Sequence, residues 1–129
     1  MAYEENLTFG RRTVLAKADL SAKQYYAVSA VDATGMDVAT AAKACDGILQ
    51  DKPIAGQAGC VAYQGVTKAA ISASNATTAN LTQLEVDSGG TLKPVASGIV
   101  VAKALETLAS STGVKVIAVY LEPSNALQA

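Results

Sequence analysis

The sequence of 129 residues predicts an all-β domain, a small β-barrel or β-sandwich with at most one or two short helices and an extended N-terminal arm. Three observations carry that expectation. Short runs of apolar and β-branched residues alternate with Gly-, Asp- and Ser-bearing turn clusters, as in small sandwiches and barrels. A hairpin pattern occurs twice. Gly47-Ile48-Leu49-Gln50 runs to Pro53-Ile54-Ala55-Gly56 and returns as Cys60-Val61-Ala62-Tyr63, while Gly98-Ile99-Val100-Val101 runs to Ser111-Thr112-Gly113 and returns as Val116 to Tyr120. In both copies the turn glycine lies seven residues before a tyrosine. Finally, hydrophobic types make up 50% of the chain but aromatics only 5%, with Phe9 alone and no Trp, so the core is built from Ala, Val, Ile and Leu. Such side chains bury little area each, at roughly 25 cal/mol per Å², which leaves room for partner subunits to add stability.

The elements follow in order. Residues 1–12 lack periodicity and carry Glu4, Glu5, Arg11 and Arg12; they read as an arm, either frayed or ordered on contact with a partner. Residues 13–129 make a single β domain, long enough to bury a core of its own. Thr13 to Ala16 is a short strand ended by Asp19-Leu20-Ser21, and Gln24 to Val31 is a second, rich in aromatic and β-branched types and closed by Asp32-Ala33-Thr34-Gly35. Met36 to Thr40 pairs back across that turn, and the Ala/Lys stretch Ala39 to Ala44 suits one helical turn. After the first hairpin come a strand at Gly65 to Ile71, a polar loop at 72–80, and a brief strand at Leu81 to Val86 stopped by Asp87-Ser88-Gly89-Gly90. Leu92 to Val95 is short, and Pro94, with no N–H to donate, places it at a sheet edge. Ile99 to Ala109 fits two descriptions: Val101, Leu105, Leu108 and Ala109 mark a helical face, whereas the β-rich opening favours a strand to about Leu105, the reading adopted. Val114 to Leu121 is the clearest strand, apolar on both faces, and Glu122-Pro123 ends it.

Composition also narrows function. Lys and Arg total 10 against 11 Asp and Glu, a net charge of -1, so the basic surplus of a nucleic-acid binder is missing. The first residues carry acids where a secretion signal carries bases, and the longest purely apolar stretch, Val116 to Leu121, falls far short of the ~20 residues of a membrane helix. The Asn-x-Thr sequons at Asn6, Asn75 and Asn80 are then chance matches in a chain rich in Thr, Ala and Asn. With no histidine and no Cys-x-x-Cys there is neither the commonest general base nor a zinc motif, and no phosphate-cradling Gly motif is present. Asp32, Asp37, Asp46, Asp51 and Asp87 all sit beside turns, whose chemistry explains each one singly better than a paired-carboxylate hydrolase does. Tyr25, Tyr26, Tyr63 and Tyr120 read as half-buried strand residues. Cys45 and Cys60 flank the first hairpin; two small buried hydrophobes in a reducing cytoplasm is the favoured reading, with a bridge left open. No catalytic residue, metal or cofactor is expected.

The stretch from Ala18-Asp19-Leu20-Ser21-Ala22-Lys23-Gln24-Tyr25-Tyr26 through Gly47-Ile48-Leu49-Gln50-Asp51-Lys52-Pro53 to Gly65-Val66-Thr67-Lys68 resembles small capsid decoration (cement) proteins of tailed bacteriophages. The late Gly-Ile-Ala-Leu-Glu-like segment of that family has its counterpart in Gly98 to Glu106. The resemblance spans roughly residues 18–122, and the longer Glu106 to Thr112 turn and the 72–80 loop depart from it. It implies a non-enzymatic virion protein with a β-tulip-like domain, made in the host cytoplasm. Such a protein binds the outer surface of the expanded head, bridges neighbouring major capsid subunits and assembles as a homotrimer, without nucleic-acid or membrane contacts. A virion fibre or adhesin-type binding module is the alternative. On this reading the candidate capsid contacts are the arm residues Tyr3, Glu4, Glu5, Leu7, Phe9, Arg11 and Arg12, with the 72–80 loop beside them.

Overall fold

The computed structural model describes residues 10–32, 35–72, 82–110 and 112–121. The regular secondary structure of these residues is all β apart from one 3-10 turn, as the sequence predicts. The strands are β1 (Arg11–Leu15), β2 (Ala27–Asp32), β3 (Gly35–Val38), β4 (Gly47–Leu49), β5 (Ala58–Ala62), β6 (Gly65–Ser72), β7 (Gln83–Val86), β8 (Leu92–Pro94), β9 (Ala102–Ala104) and β10 (Val114–Leu121). They divide into an antiparallel sheet, in the order β1-β5-β4-β2-β3, and a closed barrel, β10-β6-β8-β7-β9.

The barrel is narrow, and its composition fits that width. The long antiparallel β6–β10 pair, which joins strands distant in sequence, sets the register Ile117↔Ala69, Val119↔Thr67 and Leu121↔Gly65. Alternation then turns Ala69, Ile71, Ile117, Val119 and Leu121 inward. β7 adds Leu84 and Val86, β8 adds Leu92, and β9 adds only Ala102 and Ala104. Five strands enclose little space, so small residues on β9 and β6 let the wall close without overpacking. The open sheet curls over a second core of Ala16, Leu20, Val28, Met36, Leu49 and Val61. A parallel bridge, Ala16↔Met36, and a bond from Lys17 N to Met36 O (2.8 Å) draw its two edges together.

Backbone hydrogen bonds stitch sheet to barrel. Ala70 N donates to Tyr25 O (2.9 Å), Ala42 N to Val86 O (2.8 Å), and Ile99 N to Ala42 O (3.2 Å). Among the described residues, the non-glycine residues with left-handed backbone are Tyr25 (φ 71°) and Ala42 (φ 64°), and both lie on this seam. Each L-residue held there costs about 1 kcal/mol or more, a strain that the surrounding packing and hydrogen bonds offset.

Several expectations need correction. β1 begins at Arg11, so Arg11 and Arg12 belong to a strand paired with Ala62 and Val61 rather than to an arm. Residues 1–9 lie outside the described residues. The strand expected from Gln24 starts at Ala27, because the left-handed turn at Tyr25 interrupts extended backbone. Ala39 to Ala44 is irregular and makes no helical turn: Ala39 N and Ala42 N donate to Ala27 O and Val86 O on two different strands. Pro94 is not at an edge, since β8 lies inside the closed barrel between β6 and β7. It is tolerated because β8 meets β6 only at Ile71↔Leu92, two residues earlier. The second hairpin is real but shifted: Ala102–Ala104, not Gly98–Val101, pairs with Val119–Leu121. The backbone of 98–101 bonds elsewhere, through Gly98 N to Glu85 Oε1 (2.6 Å), Ile99 N to Ala42 O and Val101 N to Leu84 O. The first hairpin forms as expected, with Ile48↔Ala62 and Leu49↔Val61. Gly56 (φ 86°) and Gly113 (φ 81°) both supply the left-handed turn that their shared spacing suggested.

Candidate functional site

The turn carboxylates are occupied with backbone work. Asp37 Oδ1 accepts from Val38 N (2.7 Å), Asp87 Oδ1 from Ser88 N (2.8 Å), and both Asp51 oxygens from Cys60 N (3.1 and 3.2 Å). Asp46 accepts from Ala30 N, and Asp32 pairs with Lys17. Each carboxylate thus ends a turn or pins a strand, and these contacts assemble no carboxylate pair. Among the described residues no group of three or more His, Cys, Asp or Glu is placed to hold a metal ion, and no helix is long and apolar enough to cross a membrane.

The cysteines are not bonded to each other. Cys45 packs against the barrel core, and burial pushes its thiol up to about 12, with the nearby Asp46 charge acting in the same direction. A thiol so held stays protonated and unreactive.

One carboxylate that sequence reasoning passed over is central to the architecture. Glu85 is 3% exposed, although β7 turns it away from the barrel interior. Its Oε1 accepts from Gly98 N (2.6 Å) and Ala96 N (3.3 Å), while Lys93 Nζ stands 3.6 Å from Oε2. A Cβ on Gly98 would lie 2.7 Å from the Cα and Cβ of Ala42, so only glycine lets the 95–101 segment press against the seam. The sequence signal was faint: an acid in a short apolar strand; the structure sets it directly opposite Lys93 on the neighbouring β8.

Of the predicted contact residues, Tyr3, Glu4, Glu5, Leu7 and Phe9 lie outside the described residues, as does nearly all of the 72–80 loop, whose first residue, Ser72, ends β6. Arg11 and Arg12 are exposed on β1, where an Arg11 guanidinium nitrogen reaches Gln50 Oε1 (3.5 Å) and Arg12 stands 3.9 Å from Asp46. Pairs this exposed contribute little to stability and leave both guanidinium groups accessible.

The tyrosines separate into two roles. Tyr25 is a wedge at the seam: Tyr25 N donates to Leu49 O (2.7 Å), and Lys68 Nζ lies 5.9 Å from its ring centre. Tyr63 and Tyr120 are exposed. Tyr120 stands on β10 opposite Val66, in an outward row continued by Ala118 and Val116. On a water-facing antiparallel sheet such positions are ordinarily polar. Here Val66, Val114, Val116 and Tyr120 make up half of the eight exposed large hydrophobics among the described residues. β10 was read as apolar on both faces, and only its inner face is covered.

No family model matches the chain, and no match was found among curated proteins. Among solved structures the chain is similar to the N base of the head fiber gp8.5 of bacteriophage phi29, with a TM-score of 0.62 and 18% identity over 89% of this chain and 95% of that one. The likeness is one of fold, and it extends over nearly the whole of both chains.

Proposed function

We propose that this chain is a structural protein of a tailed-bacteriophage virion, seated on the outside of the head. The observation that carries the proposal is the whole-length fold likeness to a head fiber base. The decoration-protein resemblance of residues 18–122 points the same way from independent grounds. In the finer form of the reading, the domain binds major capsid subunits, bridges neighbours across the expanded shell and reinforces it, as a homotrimer and without catalysis. A homotrimer on a threefold lattice makes three equivalent contacts, so weak individual contacts add up through avidity. The N-terminal arm would strengthen the attachment.

A second reading has a specific observation behind it, because the similar structure is the base of a fibre. In that case the domain anchors a projecting element and leaves shell strength unchanged. One experiment separates them. Purified protein is added to expanded, undecorated heads, and copy number and the temperature of DNA release are measured. Hundreds of copies with a raised release temperature support the bridging role; a few copies with no thermal effect support the fibre base. Absence of binding overturns both.

A further inference from the structure

We infer that the open outer face of β10 and the first half of β6 is the surface that docks on the capsid, and that its partner is a shell-subunit patch that is apolar at its centre and carries carboxylates. The inference rests on the head-surface reading above and names the face and the chemistry behind it. The ladder fixes the pattern: Tyr120 stands opposite Val66, Ala118 opposite Lys68, Val116 opposite Ala70, and Val114 opposite Ser72. Val66 is 63% exposed and Tyr120 43%, while Ala70 is buried where its N–H donates to Tyr25 O in the turn before β2. Covered at Ala70 and open along β10, the band is about 20 Å long and about 10 Å wide, from six residues of strand rise and two strands of width.

Size and charge together select the occupant. A stable self-dimer buries about 800 Å² per partner, several times what this band offers, but a band of this size suits the anchor cluster of a contact repeated many times over a shell. Lys68 sits in the middle of the band and has no carboxylate within ion-pair distance among the described residues. Glu106 Oε2 accepts from the Ala118 N–H (2.8 Å). Two copies docked by this face about a twofold axis would bring Lys68 toward Lys68. An acidic, apolar patch on another protein meets the same lysine favourably and sets a salt-dependent affinity.

The test measures binding to expanded, undecorated heads by Val66→Asp, Lys68→Glu and the near-isosteric Val116→Thr, with Lys52→Glu in the exposed β4–β5 turn as control. All four positions are exposed, so circular dichroism and melting should match the parent protein. The expected result is at least tenfold weaker binding for Val66→Asp and Lys68→Glu, a smaller loss for Val116→Thr, none for Lys52→Glu, and a flatter salt dependence for Lys68→Glu. If the parent protein binds and the face variants bind equally well, the inference is overturned while the head-surface reading stands. If sedimentation shows a self-association that Val66→Asp disperses, the face is a contact between copies and the inference is likewise overturned. If the parent protein does not bind heads at all, the head-surface reading falls, and the partner named here falls with it.

Discussion

Removing the Glu85 carboxylate tests the claim that one buried acid joins the barrel to the segment that closes its seam. Glu85→Ala strips the acceptor from Gly98 N, which is part-buried, and from Ala96 N, which is exposed and regains water. A part-buried donor left without a partner costs about 1–3 kcal/mol, and charge-assisted bonds stand at the upper end. The lost salt bridge adds little, because Lys93 is one-third exposed and rehydrates. The sum is about 2–3 kcal/mol, a large share of the 5–15 kcal/mol that holds typical domains together. For a chain of this length that corresponds to a fall in Tm of roughly 8–12 °C. Glu85→Gln keeps an oxygen at the same place and should lose only about 1 kcal/mol. Thermal unfolding followed by circular dichroism, with urea titration as a check, reads both variants. The reasoning fails if Glu85→Ala melts within 2 °C of the parent, or if Glu85→Gln is as damaging as Glu85→Ala.

Four further expectations follow from particular contacts. In Gly47→Ala the new Cβ would stand 2.6 Å from Val61 Cγ1 and closer still to Ala62 O, in the centre of the sheet, so a loss of about 3 kcal/mol or more is expected by urea titration. Ala42→Gly relieves a left-handed backbone and should leave stability unchanged or raise it by up to about 1 kcal/mol, whereas glycine at a buried strand alanine such as Ala69 should lower it. The Cys45 thiol is raised from 9.0 to about 12 in the fold, so the unfolded chain loses its proton first as the solution turns alkaline. Stability contributed by this group is therefore complete below pH 9 and declines as pH rises toward 12; the parent should lose stability between pH 8 and pH 10 faster than Cys45→Ala does, and equal slopes would refute this. Leu84→Ala, which empties a fully buried site in the barrel, should cost about 2–5 kcal/mol in the same assay.

Much of the fold was legible because sheets declare themselves locally. Val114 to Leu121 and Gly65 to Ile71 are long β-rich runs, and each became one of the barrel's two longest strands. Asp87-Ser88-Gly89-Gly90 was readable as a turn, and the structure gives Gly89 and Gly90 left-handed backbone with Asp87 capping Ser88 N. Errors clustered at the seam between sheet and barrel. Gln24 to Tyr26 and Gly98 to Val101 have strand composition, yet Tyr25 O accepts from Ala70 N and Ile99 N donates to Ala42 O across the seam, while Gly98 N turns to the Glu85 side chain. Pro94 was placed at an edge because its missing N–H is a local fact, while barrel closure is not. The predicted contact residues fared similarly. The composition of Arg11 and Arg12 suits an arm, and pairing with β5 makes them a strand.

What the sequence determined alone is the class: β-branched runs, turn residues at fixed offsets, small apolar side chains in quantity, and the lack of histidine. Each of these depends on a residue and its near neighbours. Only the tertiary structure decided which runs close into the barrel, that Glu85 is buried behind it, and that the outer row of β10 stays bare. Those outcomes depend on pairing between segments distant in sequence. A residue's strand propensity does not change with its partner, whereas the face it buries does.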